Sequence, residues 1–280
     1  MSRENVLVST EWAEENLNKA QIRFVEVDVD TKAYDQEGHI PGAIGWNWQK
    51  QLCDTLTRDV VPKNELEALL SQSGIEKDTT IILYGDNNNW FACWALWQLE
   101  MFGHENVKIM DGGRKKWLAE GRPLSTDKTE IAASSYSAPE IDSTARALLA
   151  HVMEASPKGE EWALVDVRSP DEFSGKVLCP PGLPETCQRG AHIPNAKNIP
   201  WGKNCNEDGT FKSNDDLQGL YEPLGVTADK NVIAYCRIGE RSSLSWFVLK
   251  HLLDFPNVQN YDGSWTEWGN LVSAPIERGA

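Results

Sequence analysis

Val232-Ile233-Ala234-Tyr235-Cys236-Arg237-Ile238-Gly239-Glu240-Arg241-Ser242-Ser243 changes character at its fifth residue. The apolar run Val232 to Tyr235 reads as a buried strand, and a short loop holding Gly239 follows. Ser242 or Ser243 can cap the helix expected from Ser242 to Leu253. In an open α/β sheet, sites gather at the carboxyl ends of the strands. A thiol there faces backbone N–H groups, the positive end of a helix dipole and two arginines, each of which favours a thiolate. The same N–H array holds anions. Cys236 is therefore the candidate nucleophile, one that needs no histidine base. The candidate substrate-binding residues of its loop are Arg237, Ile238, Gly239, Glu240, Arg241 and Ser242.

The surroundings of this stretch occur twice. Tyr84 matches Tyr235, Val107 matches Val258, Asp111-Gly112 matches Asp262-Gly263 and Trp117 matches Trp268, all 151 residues apart. His39-Ile40-Pro41-Gly42-Ala43 matches His192-Ile193-Pro194-Asn195-Ala196, and Trp48 matches Trp201, at an offset of 153. Glu26-Val27-Asp28-Val29 resembles Val165-Asp166-Val167-Arg168; aligning Asp28 with Asp166 gives an offset of 138 and about 15 extra residues before the second histidine. Two homologous units follow: residues 1–125 and 144–280, joined by a polar linker at 126–143. In each, Val-rich strands (Phe24 to Val29, Ile81 to Tyr84, Ala163 to Val167, Val232 to Tyr235) alternate with helices. Asn64 with Glu67 three residues on marks a helix start and Gly74 its end; Trp90 to Phe102 reads as a further helix. The fold class is α/β, with a parallel sheet in each unit and helices on both its faces. At the 151 offset Gly85 replaces Cys236, Asp86 replaces Arg237 and Trp90 replaces Arg241, so the first unit reads as inactive.

Composition excludes several classes of function. The formal charge of −15 repels nucleic-acid phosphates and anionic lipid, so no nucleic-acid or membrane partner is expected. The chain has no 18-residue apolar run and no basic, apolar start resembling a secretory signal. Cysteines at 53, 93, 179, 187, 205 and 236 form no CxxC and lie at no finger-like spacing to histidine, so no metal site is expected. They read as reduced thiols of a cytoplasmic protein; Cys179 and Cys187, in one Pro-rich segment, are either a redox pair or two unrelated loop thiols. His39 and His192, Asp28 and Asp166, Asp111 and Asp262 recur in both units, so structural roles suit them. The 12 tryptophans, several duplicated, read as packing rather than a cofactor site, and no cofactor is expected.

The duplicated His-Ile-Pro-x-Ala, the Asp-Gly-x-x-x-x-Trp ends and the single Cys236-Arg-x-Gly-x-Arg241 loop resemble the tandem-domain rhodanese family, the thiosulfate sulfurtransferases. The resemblance spans nearly the whole chain. It implies two rhodanese-like domains with five parallel strands each, an active site near the domain interface, and sulfur transfer through a Cys236 persulfide. The donor would be thiosulfate, a small anion, and the acceptor cyanide or another thiophile, with protein partners unspecified. In the 3-mercaptopyruvate enzymes a Gly follows the cysteine, so Arg237 favours thiosulfate; a persulfide carrier would use the same loop. The family also supplies another arginine after the Asp-x-Arg strand end; here Arg168 matches the Asp-x-Arg element, Asp171 and Glu172 follow it, and Lys176 or Arg189 is the substitute for that arginine. A Cys-dependent phosphatase would place Arg six residues after its cysteine, where this chain has Ser242.

Overall fold

Four or five consecutive apolar residues are too few for a helix, and here they are buried without alternation, as strands covered on both faces are. Ile81, Ile82, Leu83 and Tyr84 are all buried, and so are Val232, Ile233, Ala234 and Tyr235. The computed structural model describes residues 3–28, 32–182 and 187–279. The chain divides into two units: one runs to Asp142 and takes in Cys205–Phe211, the other holds Ser143–Asn204 and the chain from Lys212 onward. The expected end of the first strand at Val29 lies outside the described residues, as do residues 183–186 of the Pro-rich segment.

The first unit contains β1 (Leu7–Val8), β2 (Ile22–Asp28), β3 (Ile44–Asn47), β4 (Thr80–Tyr84) and β5 (Val107–Met110). They form one parallel sheet in the order β1-β5-β4-β2-β3. The second contains β6 (Trp162–Asp166), β7 (Lys197–Asn198), β8 (Asn231–Tyr235) and β9 (Val258–Tyr261), in the order β7-β6-β8-β9, again parallel. Helices pack on both faces of each sheet. The expected fifth strand of the second unit is reduced to a single parallel bridge, Arg146 to Asn260, where β1 meets β5 in the first. Arg146 instead spends its side chain on a two-pronged ion pair with Asp262, at 2.9 Å for both contacts.

Two helix starts differ from expectation. The helix Lys63–Gln72 begins before Asn64, at Pro62, which supplies no side-chain cap. The helix after β8 is Glu240–Phe247, followed by a wider turn over Val248–Leu252. Its N-cap is Gly239, not Ser242 or Ser243; their hydroxyls instead donate back to the carbonyls of Gly239 (2.9 Å) and Glu240 (2.6 Å).

Strand register also corrects the repeat. Glu26 lies opposite Tyr84, and Asp166 lies opposite Tyr235. Glu26 is thus the counterpart of Asp166, and Asp28 the counterpart of Arg168. The offset is 140 rather than 138, leaving 13 extra residues before the second histidine. A slip of two residues keeps every side chain on its own face of a strand, so the apolar pattern does not detect it.

The corrected alignment exposes a charge exchange. In the second unit Arg168 donates to Asp166 (Nη2 to Oδ2, 2.6 Å) and lies 4.6 Å over the Trp265 ring. In the first, Trp265 is replaced by Arg114, whose guanidinium donates to Glu26 at 2.8 Å. Each buried carboxylate keeps one guanidinium, delivered from a different element. Asp28, left in the place of Arg168, is buried and its carboxyl is pushed up to about 8. Burial is the main cause, the charge of Glu26 adds to it, and the Asp86 N–H at 2.8 Å opposes it. The folded chain therefore keeps a proton that an unfolded Asp releases near pH ~4. Stability is fully present below that pH and falls as pH rises toward about 8. Asp28→Asn is expected to raise the thermal midpoint at pH 8 by the equivalent of more than about 1 kcal/mol, with no gain at pH 4. Thermal unfolding of both proteins across this range checks it.

Candidate functional site

The loop after β8 closes around the Cys236 sulfur. Gly239 has φ 101°, a left-handed conformation suited to glycine, and this turns its N–H onto Cys236 Sγ at 3.1 Å. From the other side the Cys236 thiol donates to Glu240 Oε2 at 3.7 Å. The backbone of the nucleophile is held as well. Its N–H donates to Ser264 Oγ (3.1 Å), and its carbonyl accepts from the Trp265 N–H (3.2 Å). The Arg237 carbonyl accepts from the Thr266 N–H and hydroxyl at 3.0 and 2.8 Å. Asn260 of β9 donates to the Gly239 carbonyl (3.0 Å) and accepts from the Ser242 hydroxyl (2.6 Å). Cys236, Ile238, Glu240, Arg241 and Ser242 are all buried around this turn, as is Arg237.

Arg241 does not reach outward for an anion. Its guanidinium forks onto Glu172, at 3.2 and 3.1 Å. Glu172 belongs to the short helix Pro170–Phe173, where it closes a capping box with Ser169. Burial works against the charge on both partners. For Arg241 the neighbouring Cys236 and Glu172 outweigh it, so the guanidinium is held more firmly protonated than usual. For Glu172 the Arg241 charge and its hydrogen bonds outweigh it, so the carboxyl is held below its ordinary range.

Two other cations are engaged by other partners. Arg168 is fully buried, bound to Asp166 and to the Ala191 carbonyl (2.7 Å). Lys176 is exposed and lies 3.4 Å from Asp171. Among the hydrogen bonds of the described residues, neither touches Cys236. Arg189 is also committed: its guanidinium donates to the carbonyls of Trp268, Gly269, Leu271 and Ala274, at 2.7 to 3.1 Å. Cationic residues are plain in a sequence, but the partner that consumes each charge comes from distant chain.

The duplicated histidines do the same work twice. His39 stacks on Tyr34 and His192 on Phe173, at 3.8 and 3.6 Å between ring centres, each with Nδ1 at the carbonyl of its stacking partner. Tyr84 and Tyr235 each accept the N–H that follows the histidine, from Ile40 and Ile193. Asp111 accepts the Phe211 N–H at 2.8 Å. Among the described residues no group of three or more His, Cys, Asp or Glu is arranged to hold a metal ion.

The first unit's loop is built differently. Gly85 leaves no room for a side chain: a Cβ there would stand 2.4 Å from the Val27 carbonyl oxygen. Its N–H goes to Asn89 Oδ1 (3.0 Å), and Asn87, Asn88 and Asn89 all take left-handed φ. Asn89 also explains Gly113, the counterpart of Ser264, since a Cβ at 113 would lie 2.4 Å from Asn89 Oδ1. In the second unit Ser264 takes the same left-handed φ, 52°, and its hydroxyl supplies the acceptor that Asn89 supplies in the first. Ser264, Glu172 and Asn260 were not among the expected site residues. For Ser264 the signal available was the Gly113-to-Ser264 change inside a duplicated motif.

The rhodanese-like domain model matches residues 9–120 and again residues 148–271. The chain belongs to the rhodanese family. A relative from Saccharopolyspora erythraea, provisionally named a thiosulfate sulfurtransferase, is 55% identical over 278 residues, covering 99% of this chain and 98% of its own. A Thermus thermophilus relative named sulfur carrier protein TtuD is 51% identical, covering 98% of this chain and 97% of its own. Among solved structures, EanB carrying a cysteine persulfide with ergothioneine superposes with TM-score 0.85 at 25% identity, over 100% of this chain and 72% of that one. Both rhodanese-like domains are thus present, and the sulfurtransferase family is the one this chain falls in.

Glu172→Gln is expected to cost about 3–5 kcal/mol, because it leaves the Arg241 guanidinium buried without its carboxylate. Urea unfolding of the second unit's tryptophan fluorescence checks it.

Proposed function

We propose that this protein moves the sulfane sulfur of thiosulfate to a thiophilic acceptor, such as cyanide, through a persulfide on Cys236. The observation that carries this reading is the Gly239 N–H aimed at Sγ at the start of the helix Glu240–Phe247. A sulfur there has a backbone donor ready for negative charge. In the first step the Cys236 thiolate attacks the outer sulfur of thiosulfate; the S–S bond breaks with its electron pair and sulfite leaves. In the second the acceptor attacks the outer persulfide sulfur, and the electron pair returns to Sγ. Splitting one transfer in two is covalent catalysis. The first unit, with Gly85 in place of the nucleophile, takes no part in the chemistry.

Arg237, where the mercaptopyruvate enzymes carry Gly, supports thiosulfate over 3-mercaptopyruvate as donor. A second reading, a carrier that hands its persulfide to a protein, is supported by the name of the Thermus relative. No described helix is long and apolar enough to cross a membrane, and a cytoplasmic site of action fits six free cysteines.

Intact mass after incubation with thiosulfate tests the proposal. A gain of ~32 Da, lost on adding cyanide and absent from Cys236→Ser, is expected for a persulfide intermediate. An unchanged mass would reject thiosulfate as donor. Loading only from a protein sulfur donor would move the carrier reading forward.

A further inference from the structure

The mechanism above leaves one group at the nucleophile without a task. Glu240 is 6% exposed, and its Oε2 is the side-chain oxygen hydrogen-bonded to Cys236 Sγ. A carboxylate against the reacting sulfur is unfavourable for two steps that involve anions only. Thiosulfate arrives as a dianion and sulfite leaves as one; once Cys236 is the thiolate, neither transfer step moves a proton. Arg241 feels both Cys236 and Glu240, and its fork is occupied by Glu172. Glu240 also occupies the first position of the helix Glu240–Phe247, where the helix dipole favours a charged carboxylate. The site thus keeps a proton acceptor 3.7 Å from Sγ. The outer persulfide sulfur would stand one S–S bond, about 2 Å, beyond that atom.

We propose that Glu240 is a catalytic base for sulfur acceptance, and that the acceptor class this site is built for is a thiol rather than an aprotic anion. The proposal rests on the Cys236 persulfide of the preceding reading. An incoming thiol R–SH carries a proton that must leave as its sulfur bonds to the outer persulfide sulfur. Glu240 takes that proton. The bond between Sγ and the outer sulfur breaks, its electron pair stays on Sγ as the Cys236 thiolate, and the proton passes from Glu240 to the departing R–S–S group. Persulfide anion plus thiol becomes thiolate plus hydropersulfide, with charge and atoms balanced and no oxidant or reductant needed. Sulfite needs none of this: the dianion attacks, thiosulfate forms, and no proton moves.

The test compares two acceptors in single turnover. Full-length protein is loaded with thiosulfate and freed of excess donor. It is then mixed, just above neutral pH, with sulfite or with 2-mercaptoethanol, and the loss of the persulfide mass is followed. In Glu240→Gln the sulfite rate serves as the internal reference for what the substitution does to the loop as a whole. The thiol arm is expected to slow roughly 100-fold more than the sulfite arm, the usual scale of a lost general base. Glu240→Asp, which keeps a carboxylate, should recover part of the thiol rate and serves if the glutamine variant does not fold. Equal slowing of both arms, or of neither, in a variant that loads normally would overturn the role of Glu240 alone. Failure of the unsubstituted protein to load would overturn the persulfide reading, and this proposal with it.

Discussion

A backbone N–H can be aimed at a sulfur atom at the end of a strand only if the chain turns sharply around that atom. The rest of the second unit serves that constraint. Gly239 supplies the left-handed residue that makes the turn possible. The carbonyls exposed by it are collected by Asn260, Ser242 and Thr266, groups from β9, from the helix that follows the loop and from the helix Ser264–Trp268. Glu172 then ties the first turn of that following helix, through Arg241, to the chain leaving β6. The loop is thus fixed from three sides by elements that a parallel sheet already brings to its carboxyl edge.

Three arginines of the second unit are spent inside the fold. Arg168, Arg241 and Arg189 are all consumed, the first two by carboxylates and the third by carbonyls. The Gly239 N–H and the Glu240 carboxylate both face Cys236 Sγ directly. Discrimination at such a centre depends less on net charge than on where protons and dipoles sit.

Much of this was legible in the sequence. The two parallel sheets, the strand-end position of Cys236 and the structural use of His39 and His192 follow from apolar runs, turn residues and duplication. Three things were not. The two-residue slip between Asp28 and Asp166 preserves strand alternation, so only the hydrogen-bond register places Glu26 opposite Tyr84. The cap at Gly239 was hidden because Ser242 and Ser243 are better cap residues by type, yet their hydroxyls bond backward within the first turn. The partners of Arg168, which the family's Asp-x-Arg element put forward for the substrate, were hidden too: the carboxylate of Asp166 and the face of Trp265, 97 residues on in the chain, enclose it.

The exchanged guanidiniums bear on how two copies of one fold grow apart. In one domain the arginine follows β6 and a tryptophan lies over it; in the other the arginine stands at the tryptophan's place and an aspartate at the arginine's. A half-converted domain would bury either a carboxylate with no cation or two cations around one carboxylate. Both are states a folded chain resists. The two halves are therefore separated by a barrier that single substitutions do not cross, and recombining their strand ends would join incompatible parts even though the backbones match.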